Sequence, residues 1–296
     1  MTLYKTIYSC LILLSFTGES MAQKQVIDVQ GHRGCRGVMP ENSIPAFIKA
    51  IEMGVNTLEL DVVISRDQQV VVSHEPWINA AICLNLDGTK LKLKKENQLN
   101  MYQMNYDEIK QYDCGTVYYD RFPQQQKINT IKPLLKAVFD TVKSYCKQHK
   151  LALPAFNIEI KSEVQFDSVY APAPAAFCEL VMKEINENQM RAQCIIQSFD
   201  VRVLKYMHQK YPAMPLSFLS EEIADFKTIK EKLGFLPPVF SPYHVKVTQD
   251  LIAKCHQNQI KIIPWTVNDY EDIKKLIQWR VDGIISDYPQ KVIRLL

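Results

Sequence analysis

Short apolar runs alternate with amphipathic stretches along most of the chain. Residues 26–29 read as a strand, and residues 43–53 as a helix with Ala46, Phe47, Ala50 and Ile51 on one face. Residues 57–64 and 70–73 are predicted strands. Residues 76–130 then break the rhythm with scattered Asn, Gln, Asp and Tyr, too long a stretch for a simple loop in a compact domain. The alternation resumes with a helix over 131–149, where Leu134, Leu135, Val138 and Val142 share a face, and a strand over 156–160. Helices over 175–186, 201–209, 223–233, 248–258 and 270–279 follow, separated by strands over 194–197, 216–219, 238–240 and 260–267, with a last strand over 283–286.

Strands separated by helices imply a parallel sheet covered on both faces. Eight or so strands spread over roughly 250 residues predict a closed (β/α)8 barrel of the TIM type. A doubly wound open sheet is the alternative, although no GxGxxG follows the first strand. Residues 76–130 are expected to form a small insertion subdomain after the second strand block. The N-terminus adds a separate segment. Lys5 precedes an apolar run from Ile7 to Phe16, and Ser20-Met21-Ala22 offers a small-x-small cleavage site. This predicts a signal peptide over residues 1–22, a barrel domain over 23–296, and export to a periplasmic or extracellular space. The apolar run is too short for a stable membrane span.

Composition narrows the partners. With 47% hydrophobic and 23% charged residues the chain has the make-up of an ordinary globular protein, and a net charge of +3 does not call for a nucleic-acid partner. The run Lys90, Lys92, Lys94 and Lys95 reads as a solvated surface. Of the eight cysteines, Cys10 lies in the predicted signal, so an odd number remains and at least one thiol stays free. Cys83 and Cys114 flank one polar segment and are the expected disulfide; no cysteine cluster has zinc spacing.

The candidate chemistry sits at strand ends. The first strand runs into Gly31-His32-Arg33-Gly34, the second carries Glu59 and Asp61, the third ends in His74-Glu75, and the strand over 156–160 carries Glu159 and leads into Lys161. In a barrel these C-terminal ends converge on one face. Glu59 and Asp61 are two apart, so both side chains point to the same side, as do Glu159 and Lys161. Carboxylates flanked by Leu58, Leu60, Val62 and Val63 are costly to bury without a partner. Three of them converging predict one hard divalent cation, Ca²⁺ or Mg²⁺, held by Glu59, Asp61 and Glu159. His32 and His74 are the candidate general acid and base. Arg33 and Lys161 supply positive charge suited to phosphate oxygens. A cation, two bases and two histidines point to phosphoryl chemistry rather than glycoside hydrolysis, which needs only two carboxylates. His149, His208, His244 and His256 receive no catalytic role. Trp265 and Phe199 suit either the site lining or the core.

These same blocks resemble the glycerophosphodiester phosphodiesterases. The likeness runs from about Val26 to Pro289 and is carried by Gly31-His32-Arg33-Gly34, Glu41-Asn42-Ser43, Glu59-Leu60-Asp61, Ser73-His74, Asn157-Ile158-Glu159-Ile160-Lys161, Gln197-Ser198-Phe199, Trp265-Thr266-Val267-Asn268 and Asp282-Gly283-Ile284-Ile285-Ser286-Asp287. Departures are Ser43 and Ser286 where Thr is usual, Glu75 where Asp is usual, and Asp67-Gln68 without the common turn glycine. The resemblance implies a TIM-type barrel that hydrolyses a small glycerophosphodiester to glycerol phosphate and an alcohol. It implies metal ligation by Glu59, Asp61 and Glu159, acid–base work by His32 and His74, and phosphate binding by Arg33 and Lys161. It also implies an insertion capping the glycerol end. Phospholipids or phosphoinositides are alternative substrates of the same site, and a barrel that binds a phosphorylated or sugar ligand without turnover is the non-enzymatic alternative. The head group and the oligomeric state are left open.

Overall fold

The computed structural model describes residues 26–222 and 225–296. The predicted signal segment over 1–22 lies outside them. Eleven strands are found among the described residues: β1 (Asp28–Gly31), β2 (Thr57–Ile64), β3 (Val70–Val72), β4 (Leu84–Asn85), β5 (Tyr112–Asp113), β6 (Ala155–Ile160), β7 (Cys194–Ser198), β8 (Leu216–Ser220), β9 (Val239–Pro242), β10 (Lys261–Ile262) and β11 (Gly283–Ser286). The helices are α1 (Ile44–Met53), α2 (Tyr106–Ile109), α3 (Leu135–His149), α4 (Pro174–Glu187), α5 (Val201–Lys210), α6 (Phe226–Leu233), α7 (Gln249–Gln257), α8 (Tyr270–Gln278) and α9 (Pro289–Ile293).

Eight of the strands form the parallel barrel, in the order β10-β9-β8-β7-β6-β2-β1-β11. The seam between β10 and β11 carries no regular ladder. It is bridged by backbone bonds from Asp282 to Ile262 (3.0 Å), Ile285 to Pro264 (3.0 Å) and Val267 to Ile285 (2.9 Å). Pro264 explains why the predicted strand over 260–267 shortens to two paired residues: it has no N–H to give to a ladder. The barrel is therefore the predicted (β/α)8 architecture, nearly closed. All eight residues of β2 are buried, as a strand covered on both faces requires.

Two further elements differ from the sequence pattern. β1 begins at Asp28, two residues later than expected, and Val26 is exposed. Its inward positions carry polar side chains that bond across the barrel, so hydrophobicity alone misses them. β3 pairs antiparallel with β2, Val62 facing Val72, and so is the return arm of a hairpin rather than a barrel stave. Gln68 turns that hairpin with φ 59°, a left-handed conformation where glycine would be easier.

Between β3 and α3 the chain forms a satellite layer. β4 and β5 pair antiparallel, and Cys83 is bonded to Cys114 across 31 positions. Val63 and Val71 of the hairpin pack with Ile78, Met101, Ile109 and this disulfide in a separate apolar cluster. The remaining described cysteines, Cys35, Cys146, Cys178, Cys194 and Cys255, are buried thiols. No helix among the described residues is long and apolar enough to cross a membrane.

Candidate active site

Register assembles the acidic centre. β2 and β6 pair with Glu59 beside Asn157 and Asp61 beside Glu159, so the i, i+2 spacing on each strand puts all four on the inner face. One oxygen from each of Glu59, Asp61 and Glu159 lies within 4.8 Å of the others. All three residues are buried. Like charges this close raise one another's pKa, and burial adds to the effect. Glu59 is pushed up by burial and by Asp61 and Glu159, and Glu159 is pushed up to about 7, chiefly by burial. Asp61 is held low: burial opposes its charge, but Arg33, His74 and Lys161 outweigh it. Asn42 Nδ2 donates to Asp61 Oδ2 at 2.8 Å, yet Asp61 Oδ1 is buried with no hydrogen-bond partner. A buried carboxylate oxygen without a donor is expensive. This oxygen, beside two further carboxylates, fits a divalent cation with oxygen ligands.

The turn after β1 delivers His32 and Arg33. It is tight: a Cβ on Gly31 would lie 2.0 Å from Gly34 O. Gly34, at φ 85°, lies so close to α1 that a Cβ there would meet Ala46 at 2.8 Å. Arg33 itself takes φ 49°, which turns its N–H onto Glu59 Oε2 at 2.8 Å. Its guanidinium donates to Glu41 Oε1 (2.8 Å) and lies 3.4 Å from Asp61. His32 Nδ1 is 2.6 Å from Asp287 Oδ1, and Arg36 Nε donates to the same oxygen at 2.6 Å. Burial opposes the charge on Asp287, but His32 and Arg36 hold its pKa low. An ionised carboxylate only accepts, so Nδ1 carries the proton and Nε2 presents its lone pair, 3.9 Å from Glu59. Burial and then Arg36 lower His32 to about 4, against the pull of Asp287.

His74 is arranged in the same way. Its Nδ1 is 2.8 Å from Glu75 Oε1, and its Nε2 is 3.2 Å from Lys161 Nζ, which also donates to Glu159 at 2.8 Å. Burial, Arg33 and Lys161 lower the pKa of His74. The longer Glu75 thus still reaches the imidazole. Both histidines turn a neutral Nε2 toward the acidic centre, each backed by a carboxylate.

A cavity of about 630 Å³ opens over this centre, lined by His32, Arg33, Glu59, His74, Glu159 and Lys161 among others, and Asp61 is grouped with Glu59 and Glu159. The seven predicted site residues are therefore together. Phe199 and Trp265, whose rings meet at 5.4 Å, join Tyr243 in an aromatic wall of the cavity, and Trp265 also packs against the buried Val239, Ile263 and Ile285. His244 also lines it, held by a backbone bond to Trp265 O, although its place in a predicted loop gave it no role in the sequence. His149 and His208 pack on Tyr145 and Phe235, and His256 meets Asp282. Sequence reasoning missed Glu41, Asn42, Asp287 and Gln197 as partners of the seven. They lie inside the matching blocks, but their contacts cross as many as 255 positions.

A sequence profile described as the glycerophosphoryl diester phosphodiesterase family matches residues 32–291. A glycerophosphodiester phosphodiesterase from Caldanaerobacter subterraneus is 28% identical over 268 residues, covering 90% of this chain and 97% of that protein. A solved structure from Silicibacter pomeroyi, assigned to the same family, superposes with a TM-score of 0.81 at 30% identity, over 92% of this chain and 94% of that one. A phosphodiesterase from Oleispira antarctica, solved with the product sn-glycerol-3-phosphate, shares the fold with a TM-score of 0.71 at 20% identity, over 90% of this chain and 96% of that one.

Proposed function

The chain belongs to the glycerophosphoryl diester phosphodiesterase family, and on that premise we propose that it hydrolyses small glycerophosphodiesters to glycerol phosphate and an alcohol. The observation that carries this reading is the buried, partnerless Asp61 Oδ1 among three carboxylates, faced by two carboxylate-backed imidazoles. Glu59, Asp61 and Glu159 would hold one Ca²⁺ or Mg²⁺. Such a cation draws charge from a phosphoryl oxygen and stabilises the charge that develops in the transition state.

The remaining work falls to the chain's own groups. Lys161 offers an ammonium to the phosphate, and Arg33 holds Glu41, Asp61 and the Glu59 carboxylate in place while adding positive charge. One imidazole Nε2 takes the proton of the attacking oxygen. The other gives a proton to the leaving alkoxide, having been protonated as the anionic diester entered and raised its pKa. Asp287 and Glu75 fix the two rings and stabilise the imidazolium that each becomes in turn. Burial, by lowering the pKa of each imidazole, keeps the base free at neutral pH.

The test is direct. Purified protein with Ca²⁺ or Mg²⁺ should release glycerol phosphate from glycerophosphocholine, and chelation should stop it. His32→Ala and His74→Ala should each lose about a hundredfold or more in kcat. Full activity after chelation would refute the cation, and full activity of either variant would refute its histidine. Export is part of the same proposal. Lys5, the apolar run to Phe16 and the Ser20-Met21-Ala22 site support it, and a disulfide suits an oxidising compartment. A mature N-terminus other than Gln23 in protein recovered from the source cell would count against it.

A further inference from the structure

A chain of side-chain amides crosses the interior of the barrel. At the N-terminal end of β1, Asp28 accepts from Thr57 Oγ1 (2.7 Å) and from Gln30 Nε2 (2.8 Å). Gln30 Oε1 accepts from Asn157 Nδ2 at 2.8 Å. The same Nδ2 donates at 2.9 Å to Gln197 Oε1, and Gln197 Nε2 donates at 2.8 Å to Glu59 Oε1. Gln30, Asn157 and Gln197 are each 1 or 2% exposed, so water does not compete for these bonds.

The polarity of this chain is set once the carboxyls at its two ends are ionised, because an ionised carboxylate only accepts. Each glutamine must therefore turn its NH₂ outward to an acid and its carbonyl inward. Two carbonyls then face each other, and only a group with two hydrogens can join them. Asn157 does so with both hydrogens of Nδ2, and its own Oδ1 is left buried without a partner. An unsatisfied buried acceptor costs about 1–3 kcal/mol.

We propose that Asn157, acting through Gln197, is a positioning residue for Glu59. It fixes the Gln197 amide so that an N–H, never a carbonyl, meets Glu59 Oε1, while the Arg33 N–H holds Oε2. Both oxygens of Glu59 are then pinned before any cation arrives. The inference rests on the cation site proposed above and deepens it: the affinity of the site is set in part by a residue that touches neither cation nor substrate.

The experiment measures Ca²⁺ and Mg²⁺ dissociation constants by calorimetry, alongside the melting temperature of the cation-free protein. Gln197→Met and Asn157→Leu should each weaken binding about 10- to 100-fold, the range for partners behind a metal ligand. Asn157→Asp should weaken it further, because an acceptor at the centre turns both glutamines and aims a carbonyl at Glu59. Asn157→Leu made on top of Gln197→Met should add less than about twofold, since its route runs through Gln197. Ser217→Ala breaks a 2.9 Å bond to Ser241 in the same interior and should leave cation affinity unchanged. If Asn157→Asp does not fold, the Leu and Met variants and their double mutant decide alone. Wild-type affinity in folded Asn157→Leu, an additive double mutant, or an equal loss in Ser217→Ala would overturn the inference while leaving the cation site intact. Absence of cation binding by the wild type would overturn the cation site and the inference together.

Discussion

Replacing Asp61 by Asn removes one charge from the acidic centre with almost no change in shape. The introduced amide can still accept from Asn42, so the loss is chiefly electrostatic. Carboxylate oxygens no more than 4.8 Å apart repel by about 3.5 kcal/mol per ionised pair at an effective dielectric of about 20. A bound divalent cation relieves that repulsion, and it is attracted to each charge by at least as much. Removing one charge should thus weaken cation binding by roughly 3.5 kcal/mol, or about 300-fold. Wild-type protein at a hundred times its dissociation constant gains about 2.7 kcal/mol. For a domain of this size that is a rise in melting temperature of roughly 5–10 °C. At the same cation concentration Asp61→Asn should gain less than about 0.3 kcal/mol, a shift under about 1 °C. Differential scanning fluorimetry with and without Ca²⁺ or Mg²⁺ reads this directly, with EDTA reversing the rise. Asp140→Asn, an exposed carboxylate on α3 paired with Lys136, should keep the whole shift. A full shift in Asp61→Asn, or none in the wild type with either ion, would refute the reasoning.

Other expectations follow from the same contacts. Asp287→Asn keeps the shape beside His32 and Arg36 but removes the charge, so kcat should fall about 10- to 100-fold with KM nearly unchanged in steady-state assays; a pure KM effect would contradict the role given to Asp287. His32 titrates near 4 when folded and near 6.5 when unfolded. As pH falls below about 6.5 the unfolded chain takes up a proton that the folded protein refuses, so stability is lost with acidification. By pH 5 this amounts to about 2 kcal/mol relative to pH 8. Urea unfolding of wild type and His32→Asn at both pH values should differ by that amount, and identical pH dependence would exclude it. Reducing the Cys83–Cys114 bond, which closes a loop of 31 positions, should cost about 3–4 kcal/mol of the stability of the satellite layer. Hydrogen exchange of β4 and β5 before and after reduction would measure it, and unchanged protection would count against it.

The sequence carried the fold because the signals for it are local. A strand such as β2, with apolar side chains at five of its eight positions, and helices with an apolar face announce themselves within ten residues. The i, i+2 spacing of Glu59 with Asp61 and of Glu159 with Lys161 is also local, and it was enough to put both pairs on one face. Where a local signal was ambiguous, the pairing partner decided. The run over 70–73 has the composition of a barrel stave, but β3 folds back on β2. The end of β1 was missed because Gln30 and Gly31 look like a loop until Asn157 and the Gly31–Gly34 turn are beside them.

The sequence by itself determined the barrel, the clustering of acids and histidines at strand ends, and the family likeness. Only the tertiary structure decided which group backs each imidazole, which oxygen is left without a partner, and which amide faces Glu59. The reason is distance along the chain. Asp287 meets His32 across 255 positions and Gln197 meets Glu59 across 138, and no periodicity records a contact of that span. Propensity and burial fix where a side chain can point. The register of β1, β2, β6, β7 and β11 fixes what it finds there.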